Sequence, residues 1–414
     1  MAQCPLHPPP PPPSSVPEVA FVLEMGRALQ TFGVAVPTLE KALMRLAEHL
    51  GLEGALYATP TGFLASLRPE GHRGKTYLQR VESGESSLEK LAEAEGLVDL
   101  VLAGKVDVAG ARERLAALLA RPPRFGDGLV VLAYGLAAMG VARVFGGGWR
   151  ELLLSPLVGL LVGFAVVLVQ RRRALARLAP LVGGAVSALG AALLAHLLLP
   201  GASQAVLVLG GIIVMVPGLG LLVSMQELGT GNLVSGTARL AGTILYLVML
   251  AFGVGLGQRL GAGLVPRAAE ALPVPLPLWT LIPALALVAL AFLVVFQGRL
   301  ADYGWTLAAT VVAWGAARIG AEALGPVAGA GLAALVLGAL CNVYARRARR
   351  PGATLLLPSL MLILPGSLGF RSLTLMLHQQ TLEGLQAGVQ SLIVTVALML
   401  GLLLANATVS RRSF

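Results

Sequence analysis

IIVMVPGLGLLVSMQELGTGNLVSGTAR, residues 212–239, begins as an apolar helix, meets Pro217-Gly218 where the middle of a bilayer would fall, and ends among polar residues at Arg239. Proline removes a backbone donor and clashes with the preceding turn, so the stretch predicts a helix kinked or broken at that point. Lipid offers the freed backbone groups no partner. A neighbouring helix or a cavity holding a ligand has to supply one. Alone, the Pro-Gly pair predicts no more than a kink. Residues 360–371, LMLILPGSLGFR, repeat the arrangement with Pro365-Gly366 and a following arginine. Paired Pro/Gly-interrupted apolar segments, one in each half of a chain, point to a transporter binding site.

The rest of the composition agrees with a membrane setting. Of 414 residues, 56% are hydrophobic and 13% charged, too apolar a balance for a soluble chain of this length. Residues 1–128 hold 15 acidic and 13 basic residues, whereas residues 129–414 hold 6 acidic residues, 18 arginines and no lysine. The net charge of +10 therefore belongs to the membrane part, where it reports topology and not nucleic-acid binding. Cys4 and Cys341, the two cysteines, imply no disulfide framework. The five histidines are scattered without metal-ligand spacing, so no metal or other cofactor is expected. The opening MAQCPLHPPPPPPSSVPE has no apolar core, is not a signal peptide, and reads as an extended proline-rich tail over residues 1–17.

Residues 18–124 carry the pattern of a small α+β domain. Val19, Val22, Leu23, Gly26 and Leu29 recur at helical spacing before Gly33; Pro37 then opens a second helix with the stripe Leu39, Leu43, Leu46 and Leu50. Strand-like runs follow at 55–59, 62–67 and 75–81. Ser86 with Glu89 suggests a capping box, and Asp107 a cap for the last helix before Pro122-Pro123. The polar residues His49, His72, Glu40, Asp99 and Thr59 form no nucleophile elbow, phosphate loop or metal cluster, so no catalytic residue is assigned.

From Leu129 the apolar runs reach spanning length, about 20 residues each. They predict ten spans, near 129–146, 151–170, 178–199, 204–226, 236–258, 278–297, 303–321, 326–344, 353–377 and 385–406. The arginine clusters Arg171-Arg172-Arg173, Arg346 to Arg350 and Arg411-Arg412 then share one side, which the positive-inside rule makes the cytoplasm, with both termini. The Pro-rich stretch 261–277 reads as an extracytoplasmic linker between two five-span units, 125–260 and 278–414. Five is odd, so the second unit enters from the opposite side, the condition for inverted-topology repeats.

A charge near the bilayer centre is costly, by at least ~2.5 kcal/mol, so each one asks for a reason. Glu151, Glu270 and Glu322 read as solvated span ends, while Glu227, Asp302 and Glu383 lie where a carboxylate could take and release a coupling ion. Glu227 also reads as half of a salt bridge to Arg239. Half-helix N-termini after Pro217 and Pro365 could meet a substrate carboxylate, with Gly218, Ser235, Gly236, Arg239, Gly366, Ser367 and Arg371 as further substrate-binding candidates.

The segments LEMGRALQTFGVAVPTLEKALMRLAEHLGL, VPGLGLLVSMQELGTGNLVSGTARLAGT and ATLLLPSLMLILPGSLGFRSL together resemble the threonine/serine exporter family over nearly the whole chain after the proline tail. The resemblance implies a cytoplasmic N-terminal domain followed by two five-span units. It also implies export of threonine and serine across the inner membrane, driven by a proton or other ion gradient. The partners expected are thus an amino-acid substrate, protons or another coupling ion and membrane lipid; whether copies associate as a homo-oligomer stays open. Two other readings remain: a membrane-tethered enzyme using the N-terminal domain, and an exporter or channel for another small metabolite such as a dicarboxylate. ATP-driven pumping is excluded on motif grounds, since GxxxxGK[ST] does not occur.

Overall fold

The computed structural model describes residues 16–408 apart from 72, 82–86, 173, 267–273, 275, 349, 365 and 378. The proline tail, Cys4, His72, Ser86, Arg173, Glu270, Pro365, Arg411 and Arg412 lie outside the described residues, as does much of the expected linker.

The N-terminal domain has the expected order. Helices α1 (Pro17–Thr31) and α2 (Val36–His49) precede strands β1 (Leu52–Thr59), β2 (Gly62–Pro69) and β3 (Lys75–Arg80), then α3 (Leu88–Leu102) and α4 (Val108–Ala120). The sheet is an antiparallel meander, β1-β2-β3, with Thr59 opposite Gly62 and Leu67 opposite Lys75. Period-two alternation buries Phe63, Ala65 and Leu67 of β2 against the helices and turns Leu64, Ser66 and Arg68 outward. Leu39, Leu43 and Leu46 of α2 fill the same core with Phe21 and Leu29 of α1. Asp107 caps α4, accepting from the Gly110 amide at 3.2 Å. The cap of α3 is Ser87 and not Ser86: its hydroxyl accepts from Lys90 N at 3.4 Å, which sets the helix start one residue later. Arg112 chelates Glu24 at 2.7 and 3.0 Å, tying α4 to α1, and this bond raises the arginine above its ordinary pKa.

Beyond Gly126 the chain is helical: α5 (Asp127–Val144), α6 (Trp149–Gln170), α7 (Ala179–Leu197), α8 (Gln204–Ile212), α9 (Gly218–Gly229), α10 (Leu233–Leu264), α11 (Leu281–Val295), α12 (Tyr303–Leu324), α13 (Pro326–Ala348), α14 (Ala353–Leu360), α15 (Gly366–Leu377) and α16 (Thr381–Thr408). Among the described residues eight helices are long and apolar enough to cross a bilayer; they are α5, α6, α7, α10, α11, α12, α13 and α16, three of them with a short 3-10 lead-in. The two other expected spans are the pairs α8/α9 and α14/α15, each too short to cross alone. The protein is a multi-pass α-helical membrane protein carrying a small α+β domain.

The two breaks are built alike, 148 residues apart. Met215 N and Val216 N both bond Ile212 O; Ile363 N and Leu364 N both bond Leu360 O. Twelve-residue helices follow each break, and both end on a residue of positive φ, Gly231 at 85° and Gln379 at 65°. Leu228 faces Gly236 where Met376 faces Gly384. The correspondence is in backbone and packing more than in side-chain type, which explains why it is faint in the sequence.

Candidate functional site

The breaks meet each other. A Cβ added to Gly218 would lie 2.7 Å from Leu364 Cβ, and one added to Gly366 would lie 2.5 Å from Val216 Cγ1 and 3.1 Å from the backbone of Gly218. Val216 and Leu364 are equivalent positions, so the contact is isologous: each break presents a glycine to the other's preceding residue. Only a residue without a side chain lets two backbones approach this closely. Pro217 is half-buried beside this crossing, with φ −82° and ψ 49°, outside the helical region. Gly218 N bonds Val216 O at 2.8 Å, so the first-turn amides that α9 can offer a ligand begin at Leu219. Ser367, half-buried, opens α15 next to Gly366.

Glu227 sits two turns further along α9 and is fully buried. Four donors converge on its carboxylate. Arg239 of α10 grips it in a bidentate pair at 2.9 and 3.0 Å, Ser235 donates at 2.8 Å, and the Val36 amide of α2 donates at 3.2 Å. The sequence puts these groups together by helix geometry: Ser235 and Arg239 are four residues apart on the first turns of α10, on one face. What sequence reasoning missed is Val36, 191 positions away, whose amide is one of the unpaired donors of a helix start. Glu227 is thus both half of an ion pair and the cap of a helix in the N-terminal domain. Gly236 serves this site indirectly, letting Leu228 pack against α10.

Asp302, nearly buried, is a second such node. Arg350 Nη1 donates to both its oxygens at 2.7 and 3.0 Å, and Tyr344 donates at 3.0 Å. Arg350 therefore has a partner beyond its part in the arginine cluster. Buried hydroxyls line up beyond Asp302: Thr306 bonds its carbonyl, Thr310 bonds Thr306 O, and Thr310 meets Ser359 of α14 at 3.2 Å.

The remaining candidates are not gathered there. Arg371 and Glu383 are exposed on α15 and α16, and among the described residues no hydrogen bond or ion pair joins them to Glu227 or Asp302. Glu151 corrects an expectation of the sequence. It is buried and not solvated, accepting from Gly148 N at 2.8 Å and Ser203 N at 2.7 Å, so it caps α6 and fastens the start of α8. Glu322 is exposed and paired with Arg318 at 2.8 Å.

Gln297, unremarked in the sequence, docks the N-terminal domain. Its side chain accepts from Phe125 N at 2.8 Å and donates to Phe125 O at 3.2 Å, while Leu88 N bonds Phe296 O at 2.9 Å. It holds φ at 53°, an uncommon value for a side-chain-bearing residue, and is almost fully buried. The signal was a lone glutamine before glycine at the end of an apolar span. Arg143 plays a similar part at the other end, bonding Thr280, Leu276 O and Pro277 O at 2.6 to 3.2 Å. Among the described residues no three His, Cys, Asp or Glu side chains are placed to hold a metal ion.

Comparison with known proteins adds the family. The threonine/serine exporter family matches residues 20–261, and a second description, "Threonine/Serine exporter, ThrE", matches residues 281–408. The chain is 27% identical to the threonine/serine exporter of Corynebacterium glutamicum over 310 residues, 72% of this chain and 63% of that protein. It is 25% identical to a "Probable threonine/serine exporter" of Mycobacterium tuberculosis over 346 residues, covering 80% and 65% of the two chains. With the "Pheromone-regulated membrane protein 10" of Candida albicans it shares 28% over 251 residues, 58% of this chain but 22% of that one. The chain thus spans from about a fifth to two thirds of the length of these relatives. No solved structure gives a significant match. Both five-span regions and the N-terminal domain fall inside the matched residues, and the chain belongs to the threonine/serine exporter family, a family of transporters and not of enzymes.

Proposed function

We propose that this protein is a secondary transporter exporting small neutral hydroxy-amino acids, threonine and serine, across the inner membrane, driven by the gradient of protons or another ion. The observation that carries the reading is the isologous meeting of two broken helices, Gly218 on Leu364 and Gly366 on Val216. Discontinuous helices at a repeat interface present half-helix ends to a substrate at mid-membrane depth. In this reading the units 125–260 and 278–414 are inverted repeats, joined by the stretch 261–277. Residues 18–124 are cytoplasmic, as are both termini. Pro217, Gly218, Pro365, Gly366 and Ser367 frame the substrate, with Arg371 reaching it only after α15 moves.

Ion coupling belongs to Glu227 before Asp302 or Glu383. A proton on Glu227 would weaken the Arg239 pair, the Ser235 bond and the cap on α2 together, so one titration would act on both the membrane unit and the domain below it. Counterflow in proteoliposomes with a panel of labelled amino acids tests the reading. Threonine and serine should exchange, and an uncoupler should abolish uphill efflux. Exchange of dicarboxylates in their place would sink it, and efflux indifferent to the uncoupler would remove the coupling.

A further inference from the structure

A cavity of about 270 Å³ lies where α2 and α3 of the N-terminal domain cover the ends of α13, α14 and α16. Its size is just under the range usual for drug-sized ligands, which suits a molecule of a few heavy atoms. Its walls differ in charge. Glu95 and Asp99, four residues apart and so on one face of α3, form the side contributed by the N-terminal domain. Arg350, Asn342 and Asn406 form the opposite side, contributed by the membrane helices, and Thr38 of the first turn of α2 closes the edge.

The cationic side is held in place before any ligand arrives. Arg350 Nη1 is anchored on both oxygens of Asp302, itself fixed by Tyr344, which leaves the Nη2 edge of the guanidinium without a bond among the described residues. Asn342 donates to Asn406 Oδ1 at 3.1 Å and to Ala405 O at 3.3 Å, so both carboxamides keep one orientation. Carboxylates facing a guanidinium across a small space match a molecule bearing both charges. They disfavour a simple anion or cation, which would meet its own sign on one wall.

We propose that this cavity is a binding site for a zwitterionic α-amino acid, its ammonium on Glu95 and Asp99 and its carboxylate on Arg350. The site opens at the first turn of α14, the half-helix that leads to the second break, so it loads cargo ahead of the crossing of the broken helices. Its role in loading rests on the carrier reading given above; binding itself does not. It also gives the N-terminal domain a task, supplying the acidic wall.

The test uses the purified full-length chain in detergent with labelled L-threonine, and L-threonine methyl ester and N-acetyl-L-threonine as competitors. The parent should bind L-threonine saturably, and both competitors, each lacking one charge, should compete weakly. E95Q combined with D99N should weaken binding by roughly tenfold or more, the ratio a lost charged hydrogen bond gives. In efflux assays it should raise the half-saturating internal threonine by the same factor, with the maximal rate within about twofold of the parent. Both positions lie on an outward face of α3, and an unchanged melting temperature shows that the fold is kept. Unaltered binding in this variant, equal competition by N-acetyl-L-threonine, or absence of saturable binding to the parent would each overturn the site. Lost binding with no transport by the parent would instead fail the carrier reading alone, and normal transport with unaltered binding would fail the site alone.

Discussion

Glu227 is where the most depends on one side chain. A buried carboxylate that loses its cation leaves an uncompensated charge, at a cost of about 3–5 kcal/mol, whereas exposed pairs such as Arg318–Glu322 contribute little. Arg239 is a quarter exposed, so the lower end of that range applies here. Glu227→Gln keeps the shape but one of its terminal atoms can no longer accept from Arg239. It is expected to lower stability by about 1.5–3 kcal/mol, read as a fall in melting temperature, and to lose uncoupler-sensitive efflux. Normal proton dependence in that variant would remove Glu227 from coupling. Arg239→Lys should be nearly as harmful, because an ammonium cannot reproduce the two-pronged contact; the same two measurements check it. The polar residues around Glu227 were visible along the chain. Their partner Val36 was not, since a backbone amide carries no residue-type signal.

The broken helices are the elements whose packing the mechanism uses, and their glycines are the test. Gly366→Ala would drive a methyl group into Val216 and the Gly218 backbone, which cannot yield as a side chain end would. Overpacking of that kind costs about 1–3 kcal/mol, so a lower melting temperature and slowed counterflow are expected. Gly218→Ala meets only the Leu364 side chain and should be milder, a ranking that parallel melting curves decide. The turn between α11 and α12 makes a second prediction. Gln297→Leu removes two hydrogen bonds to Phe125 and leaves that buried backbone unpaired, a loss of about 1–3 kcal/mol. Hydrogen exchange should quicken at the start of α3, including the Leu88 amide, and stay unchanged within the sheet. Helix and strand positions were readable from periodicity, down to the Asp107 cap. The Ser87 cap and the αL turn at Gln297 escaped because each depends on which of two adjacent polar residues the packing selects.

For the molecule as a whole, the orientation proposed above predicts which loops a membrane-impermeant thiol reagent reaches. With Cys4 and Cys341 replaced by serine, a cysteine at Gly147 should label from outside intact cells and one at Arg172 only after permeabilisation. Labelling of Arg172Cys in intact cells would reverse the topology. The number of membrane passages, the two interruptions and the separate α+β domain were all legible from composition, hydropathic period and Pro-Gly placement. These signals are local, arising from backbone geometry and the exclusion of charge from lipid. The tertiary structure alone decided that the interruptions touch one another, that Glu227 and Asp302 are held by arginines, that Arg371 and Glu383 are not, and that a cavity of mixed charge lies under α3. Each of those facts joins residues more than ten positions apart, some by nearly two hundred. No periodicity encodes such contacts, because they depend on how whole helices dock and on backbone groups shared by every residue type.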